Sequence, residues 1–174
     1  MTKIVEEKLK SLLQEGRYKN LHNIIHHGST SIMNHCVNVA ETSYKLKKKF
    51  RIKLNEDELI QGALLHDYFL YDWHEKGDWH CIHGFTHPKK AMLNAIADYN
   101  IDKRVQHIIK VHMFPITITS VPITKEAWVV MMADKLCALK EHIGLYKMFF
   151  NKHYEPKYKV VFNCDTFESE KSEI

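Results

Sequence analysis

The chain has 174 residues, of which 45% are hydrophobic and 26% charged, a composition typical of one ordinary globular domain. Its unbroken apolar runs are far shorter than the roughly 18 to 20 residues of a membrane helix, and its N-terminus lacks the apolar core of a signal peptide, so we expect neither a membrane protein nor a secreted one. The formal net charge of +4 suits a small anionic substrate and does not require a nucleic acid polymer as partner.

Cysteine and histidine usage narrow the class of protein further. The four cysteines, Cys36, Cys81, Cys137 and Cys164, form no C-x-x-C pair, which argues against both a zinc finger and a disulfide framework. The reducing cytoplasm is therefore the expected location. Histidine is the unusual residue type, because 13 occur and most of them lie between positions 22 and 112. Imidazole is available there as a metal ligand and as an acid or base near neutral pH.

Helical periodicity dominates the first part of the chain. Apolar residues recur at the helical period over residues 4–13 and stop near Gly16, which predicts a first helix. The hydroxyl residues 29–31 offer caps to a second helix, whose apolar side carries His35. The basic run 45–49 is expected to be the solvated end of this helix, with contact to phosphate groups as the alternative.

A third helix is predicted after residue 54. Asn55 and Glu58, three positions on, form a capping signal, and the apolar residues that follow indicate a helix that ends near His66 and Asp67. From residue 71 to residue 86, aromatic residues, histidines and glycines follow without a period. This stretch is therefore predicted to be a loop that lines a site.

Two further helices are predicted in the next part of the chain. Thr86 and Pro88 are a cap and an early proline, so a fourth helix is expected to begin there. Asp102 begins a fifth helix that reaches His112, and Pro115 is expected to stop it. A sixth helix, capped by Thr124, is predicted to run from Trp128 to about Phe150. It carries Asp134, and Met131 and Met132 are expected to pack in the core.

Strands contribute little to the predicted fold. Only residues 116–121 and 159–162 resemble strands, and both stretches are short. The sequence therefore predicts an all-α fold, a single compact helical bundle. We expect an N-terminal helix over residues 1–20 that packs on a domain over residues 21–150, followed by a partly frayed extension over residues 151–174.

Potential metal ligands recur on the sides of these helices that are predicted to face the interior. Buried imidazole and carboxylate groups are costly unless they are paired or bound to a cation, so a set of them in one core requires a common partner. Imidazole nitrogen and carboxylate oxygen together suit Fe, Mn, Co, Ni or Zn, whereas the absence of inward thiolates disfavours a structural zinc centre. The residues concerned are His35, His66, Asp67, His87, His112 and Asp134.

The adjacent pair His66-Asp67 is the most informative part of this set. Neighbouring residues on a helix point about 100° apart, so both reach one metal only if the metal lies against the helix end. A carboxylate in that position has a second oxygen for another ion.

At these positions the sequence resembles the HD superfamily of metal-dependent phosphohydrolases. Residues 34–40 are similar to the family's H-x-x-x-V-A helix, residues 63–67 to its L-L-H-D motif, and residues 133–136 to its A-D-K/R-L motif. The resemblance covers about residues 21–146. His87 and His112 fall where the two-metal branches of the superfamily, including the HD-GYP phosphodiesterases, carry two further histidines.

The resemblance implies an HD-domain helical bundle with a dinuclear centre. Two divalent transition metals are implied, with Fe or Mn favoured and Zn, Ni and Co possible. The implied ligands are His35, His66, Asp67 and Asp134 for the first metal, and His87, His112 and the bridging Asp67 for the second. The chain departs from the HD-GYP branch, because residues 68–70 are Tyr-Phe-Leu instead of I-G-K and no G-Y-P follows. Hydrolysis of cyclic di-GMP is therefore not expected, and the chain looks more like the small stand-alone HD hydrolases of bacteria.

The expected reaction is hydrolysis of a small anionic phosphorylated substrate, a phosphomonoester or phosphodiester that resembles a nucleotide. Two metals would lower the pKa of a water molecule, orient the phosphoryl group and neutralise the charge that develops on it. Asp67, His83 and Lys135 are the candidate catalytic residues, with His83 as the acid or base for the leaving group and Asp72 and His80 as other candidates in the loop.

Basic and aromatic side chains near the predicted ligands are candidates for substrate contact. Lys89, Lys90 and Lys135 are the candidate phosphate contacts, with a solvated side chain as the alternative for each. Trp73 and Trp79 are candidates for stacking on a base or sugar ring, with core packing as the alternative.

Two other classes of protein remain as alternatives. The same six ligands resemble those of the di-iron oxygenases of the superfamily, in which the metals activate dioxygen instead of water. A non-enzymatic HD signalling module is the second alternative, and it predicts that ligands have been lost, whereas all six are present here.

Overall fold

The computed structural model describes residues 1–27, 30–71 and 83–150, apart from the side chains of residues 26, 27, 83 and 144–150. Within this part the chain forms an all-α bundle, as predicted, with one short hairpin. None of the described helices has the length and the apolar character needed to cross a membrane. The helices are α1 (Lys3–Gln14), α2 (Ile32–Lys49), α3 (Glu56–Leu65), α4 (His83–Tyr99), α5 (Lys103–Val111) and α6 (Lys125–Phe150); a 3-10 helix spans Tyr18–His22, and β1 (Ile25–His27) pairs antiparallel with β2 (Thr30–Ser31).

Side-chain caps set the starts of four helices where the sequence predicts them. Ser31, Asn55, Asp102 and Thr124 each accept a hydrogen bond from a backbone N–H two or three positions further on. Each cap satisfies an amide that has no partner within its helix, which stabilises the helix by about 1 kcal/mol.

The core lies between helices that are distant in sequence. Helix α2 packs against α3 and α6, and α5 packs against α3 and α4. Helix α1 covers α3 with a buried face formed by Val5, Leu9 and Leu12. The hydroxyl of Tyr18, which is fully buried, donates to the carbonyl of Leu64 at 2.8 Å and fixes the chain after α1 to the end of α3. As a result, the ends of α3 and α5 face α2, α4 and α6 across a common interior.

Helix α4 begins earlier than the sequence predicts. It starts at His83, so residues 83–86 of the predicted loop are helical and Pro88 lies inside the helix instead of near its first residue. The prediction from Thr86 and Pro88 was wrong because His87 is buried against α5, and tertiary packing of this kind outweighs a local start signal.

The strand predictions also need correction. Residues 116–121 form turns, because a single apolar alternation has no neighbouring strand to pair with. The pairing of residues 25–27 with residues 30–31 was not predicted, because segments of two or three residues are too short to show an alternating pattern in the sequence.

Met131 is buried as predicted, but Met132 is 49% exposed, so the core prediction for Met132 was wrong. Residues 159–162 and the rest of the predicted extension lie outside the described residues.

A polar network joins the end of α1 to the end of α4. Tyr99 donates its hydroxyl to the carbonyls of Leu12 and Glu15 at 3.0 and 2.9 Å. Arg17 forms two hydrogen bonds to the Asp98 carboxylate, at 2.9 and 3.0 Å, and Tyr68 donates to the same carboxylate at 2.6 Å. Hydrogen bonding to Arg17 lowers the pKa of Asp98 below its usual value.

We expect this network to make stability depend on pH in the acid range. Because the pKa of Asp98 is lower in the folded chain than in the unfolded chain, the pair with Arg17 stabilises the fold above about pH 4 and loses that effect as the pH falls through the folded-state value. The Asp98→Asn variant should lose about 1 kcal/mol at neutral pH, a modest amount because half of the Arg17 side chain is exposed to screening solvent. Urea unfolding of both proteins from about pH 3 to pH 7 measures the difference, and a difference independent of pH would contradict the ion pair.

Candidate metal centre

Five helices bring the six predicted ligands together in the interior of the bundle. One lies in the first turn of α2, two directly follow α3, one lies in α4, one directly follows α5 and one lies in α6. All six side chains are buried, so their polar atoms must find partners among themselves or on a bound ion. In that order they are His35, His66, Asp67, His87, His112 and Asp134.

The first group of ligand atoms surrounds one oxygen of Asp134. Nε2 of His35 lies 3.1 Å from Asp134 Oδ1, and Nε2 of His66 lies 3.7 Å from the same atom. These three side chains offer ligand atoms that all lie within 4.8 Å of one another. His66 Nε2 is also 3.5 Å from Asp67 Oδ2, so Asp67 borders this group.

The second group surrounds the other oxygen of Asp67. Nε2 of His87 and Nε2 of His112 lie 3.2 and 3.4 Å from Asp67 Oδ1, and 2.9 Å from each other. Two nitrogen ligands at about 2.1 Å from one metal ion lie roughly 3 Å apart when they subtend a right angle, so the spacing of these nitrogens fits a shared ion. Asp67 thus presents one oxygen to each group, as a carboxylate that bridges two cations must.

Backbone hydrogen bonds orient two of the imidazole rings. His66 Nδ1 lies 2.8 Å from the Ala63 carbonyl, and His112 Nδ1 lies 2.7 Å from the Ile109 carbonyl. A carbonyl oxygen only accepts, so Nδ1 donates in both rings and Nε2 of the neutral ring keeps its lone pair. Nε2 of His66 is buried and has no hydrogen-bond partner among the described residues, and a cation satisfies such an atom.

Glu141 is a functional candidate that the sequence reasoning missed. Its two carboxylate oxygens lie 3.0 and 3.2 Å from His35 Nδ1, and they orient the ring so that Nε2 faces Asp134. A carboxylate behind a ligating histidine fixes the ring and raises its basicity. The sequence spacing could have indicated this role. Glu141 follows Asp134 by seven positions, about two helical turns, and therefore lies on the same face of α6.

Lys135 contacts the centre from the side of α6. Its ammonium group donates to Asp134 Oδ2 at 2.8 Å and to the carbonyl of His112 at 3.1 Å, while 34% of its side chain remains exposed. These bonds use two of its three N–H groups and join α6 to the end of α5. The predicted contact of Lys135 with a phosphate remains a prediction.

Of the other predicted site residues, Lys89 and Lys90 follow His87 on α4, and several lie outside the described residues. Nζ of Lys90 lies 4.5 Å from the centre of the Tyr71 ring, and Lys89 is exposed on α4. Burial and the charge of Asp67 raise the pKa of Tyr71, a half-buried neighbour that the sequence reasoning did not single out. The side chain of His83, at the first position of α4, is not described. Asp72, Trp73, Trp79 and His80 lie outside the described residues.

The titratable groups of the centre shift one another's pKa values. Burial raises the pKa of Asp67, but the histidines around it outweigh burial and lower that pKa well below its usual value. Burial lowers the pKa of His35, but Asp134 and Glu141 outweigh burial and raise it. Burial also lowers the pKa of His112, to about 4, so this ring is neutral and able to bind a metal above that pH.

Two thiols lie close to the centre without belonging to it. Cys36 and Cys137 are both buried, which corrects the expectation that no thiol faces inward. Cys36 contacts His66, and Sγ of Cys137 lies 3.4 Å from Oγ1 of Thr42. Within the described residues, the clusters able to hold a metal consist of histidine and aspartate alone, a donor set that suits Fe or Mn as well as Zn.

The bundle carries a buried cluster of histidine and aspartate side chains that is able to hold a metal ion. A family model described as HD domain matches residues 32–139, a span that contains all six candidate ligands. The chain belongs to the HD-domain family, whose members are mostly metal-dependent hydrolases that bind divalent metals. Comparisons with curated proteins and with solved structures give no match.

A close approach of two helices sets the distance between His66 and His112. A Cβ atom added at Gly62 in α3 would lie 2.7 Å from Cγ2 of Ile108 in α5, too close for any real contact. His66 and His112 each follow these residues by four positions, about one helical turn, and their rings meet edge to face with centroids 4.9 Å apart. The missing side chain at Gly62 therefore allows the two ligands to meet.

We predict that Gly62→Ala destabilises the protein and weakens metal binding. Alanine is the better helix former, but overpacking against Ile108 should cost about 1 to 3 kcal/mol and separate α3 from α5. Urea unfolding and titration with Mn²⁺ or Co²⁺ measure the two effects. In the Ile108→Ala background, where the obstructing side chain is absent, the same substitution should cost less; equal costs in both backgrounds would show that the contact is unimportant.

We also predict different metal contents for two ligand variants. Asp67→Ala should lose both metals, because one carboxylate faces both groups, whereas His87→Ala should retain about one. Elemental analysis of protein purified without added metal gives the content, with His107→Ala as a control outside the cluster. Two metals per chain in Asp67→Ala would rule out the bridging role.

Proposed function

We propose that the chain is a metal-dependent phosphohydrolase that cleaves a small phosphomonoester or phosphodiester of nucleotide size. The observation that carries this proposal is the arrangement around Asp67, which directs one oxygen toward His66 and the other toward His87 and His112. A pair of adjacent ions bridged by a carboxylate is suited to displacement at phosphorus, where both the attacking and the leaving oxygen need stabilisation.

The donor set supports two divalent transition metals, with Fe or Mn preferred to Zn, Ni or Co. His35, His66, Asp67 and Asp134 would hold one ion, and His87 and His112 with Asp67 would hold the other. When bound, the metals supply an activated water and neutralise the charge on the phosphoryl oxygens. The chain contributes the orientation of the ligands, through Glu141 behind His35 and through the carbonyls behind His66 and His112.

Other side chains complete the proposed reaction. Lys135 has a third N–H group for a phosphate oxygen, and Lys90 adds positive charge three positions after His87 on α4. Lys89 is the neighbouring exposed cation and contributes to the attraction of an anionic substrate. His83, one helical turn before His87, is our candidate for protonation of the leaving group.

Hydrolysis under argon tests this proposal against the di-iron oxygenase alternative, which uses the same six ligands. We expect turnover of one or more phosphomonoesters or cyclic nucleotides without oxygen, in the presence of Mn²⁺ or Fe²⁺, and loss of that turnover in His66→Ala. Absence of hydrolysis together with oxygen uptake on a polyol or a phosphonate would establish the oxygenase. Inactivity in both assays, with both metals bound, would favour the signalling module.

A further inference from the structure

An open cleft lies at the C-terminal end of α2, far from the metal centre. Its volume is about 400 Å³, and it is lined by Lys47, Lys48, Arg51, Ile52, Lys53 and Leu54. His35 is in the first turn of the same helix, about 18 Å along the helix axis from Lys47 at 1.5 Å per residue. Binding in the cleft is therefore separate from binding at the metal centre.

Positive charge in the cleft exceeds what the helix itself requires. Cations in the last turn of a helix interact favourably with its dipole, and this accounts for Lys47 and Lys48. It does not account for Arg51 and Lys53, which follow the helix. Among the described residues, Glu56 is the one carboxylate that forms an ion pair with a lining side chain, that of Lys47.

The position of Arg51 is a second, independent observation. Its amide donates to the carbonyl of Lys48 at 3.2 Å and the amide of Ile52 donates to that of Lys47 at 3.0 Å, the hydrogen bonds of a Schellman motif. This motif places Arg51 in the left-handed region, at φ 53°. Gly16, at the corresponding position after α1, and Asn100, directly after α4, also have positive φ, and glycine and asparagine are the two residue types that tolerate such a conformation best. Leu70, at φ 59°, is the other described residue in this region.

An arginine at this position costs stability that a glycine would not, and this makes its side chain a candidate for a binding role. We propose that the cleft binds the phosphate groups of a small polyphosphate, either a free polyphosphate or a nucleotide. The planar guanidinium of Arg51 suits a phosphate group, and the lysines add flexible donors. The apolar side chains of Ile52 and Leu54 lie beside these cations, where an uncharged part of the ligand would pack.

Thermal unfolding of metal-free protein tests the proposal, with inorganic tripolyphosphate and ATP as probes at constant ionic strength. Both probes should raise the Tm of the wild type, by an amount that grows with the logarithm of probe concentration. Arg51→Gly should show the opposite pair of effects: a Tm about 2 to 4 °C higher without probe, because the backbone strain is gone, and little or no rise with probe. A larger rise in Tm with ATP than with tripolyphosphate would identify a nucleotide as the preferred ligand. A larger rise with tripolyphosphate would identify a free polyphosphate.

The matched control is Lys19→Ala, which removes one positive charge from an exposed position on the 3-10 helix. It should respond to both probes as the wild type does. Lys53→Ala leaves the backbone strain in place and should weaken the response at least 3-fold in apparent affinity, measured by calorimetry. The proposal is overturned if Arg51→Gly responds like the wild type, or if Lys19→Ala loses the response as fully as Arg51→Gly, since net charge alone would then explain the binding.

Discussion

Six polar side chains buried in the core of a small helical bundle are the constraint on which this structure depends. The carboxylates of Asp67 and Asp134 remain charged because imidazole groups surround them, and His35 remains protonated without metal because two carboxylates contact it. A metal ion bound at this centre would displace the proton of His35 and supply positive charge to the same carboxylates. The core is therefore built around charges that would be unfavourable if any one partner were removed.

The unpaired carbonyls at helix ends have a specific use in this fold. His66 and His112 each follow the last residue of a helix, and each donates to a carbonyl three positions earlier. Such carbonyls have no amide partner within the helix, so the imidazole satisfies them while its other nitrogen points into the centre. The same hydrogen bond to a carbonyl three positions earlier thereby orients both His66 and His112, with the proton on Nδ1 and with Nε2 toward the centre.

Local signals and the ligand motifs predicted most of this arrangement. The caps at Asn55 and Asp102 predicted helix starts because a side-chain cap depends on only a few neighbouring residues. His35, His66, Asp67 and Asp134 were predicted because they fall within short motifs in a fixed order. His87 and His112 were predicted because they fall where the two-metal branches of the superfamily carry two further histidines. Glu141 was not predicted, since a single glutamate on a helix resembles a solvated residue until its distance to His35 is known.

Residues whose role depends on tertiary contacts could not be predicted in the same way. Gly62 carries no signal in the sequence, because its importance lies in the side chain that Ile108 places against it. The start of α4 was misplaced for a similar reason, since the packing of His87 is not visible in the residues around it. Interhelical distances are set by pairs of residues far apart in the chain, and a single sequence does not reveal those pairs.

The distribution of ligands over five helices has a consequence for how metals enter and leave. His35 and Asp134 are 99 positions apart and contact each other directly, so no short segment of the chain contains a complete site. An ion held among these side chains would be released fully only when the helices that carry its ligands separate. The exchange kinetics of the metal would thus report the cooperative motion of the whole domain, in the way that slow amide exchange reports it for the backbone.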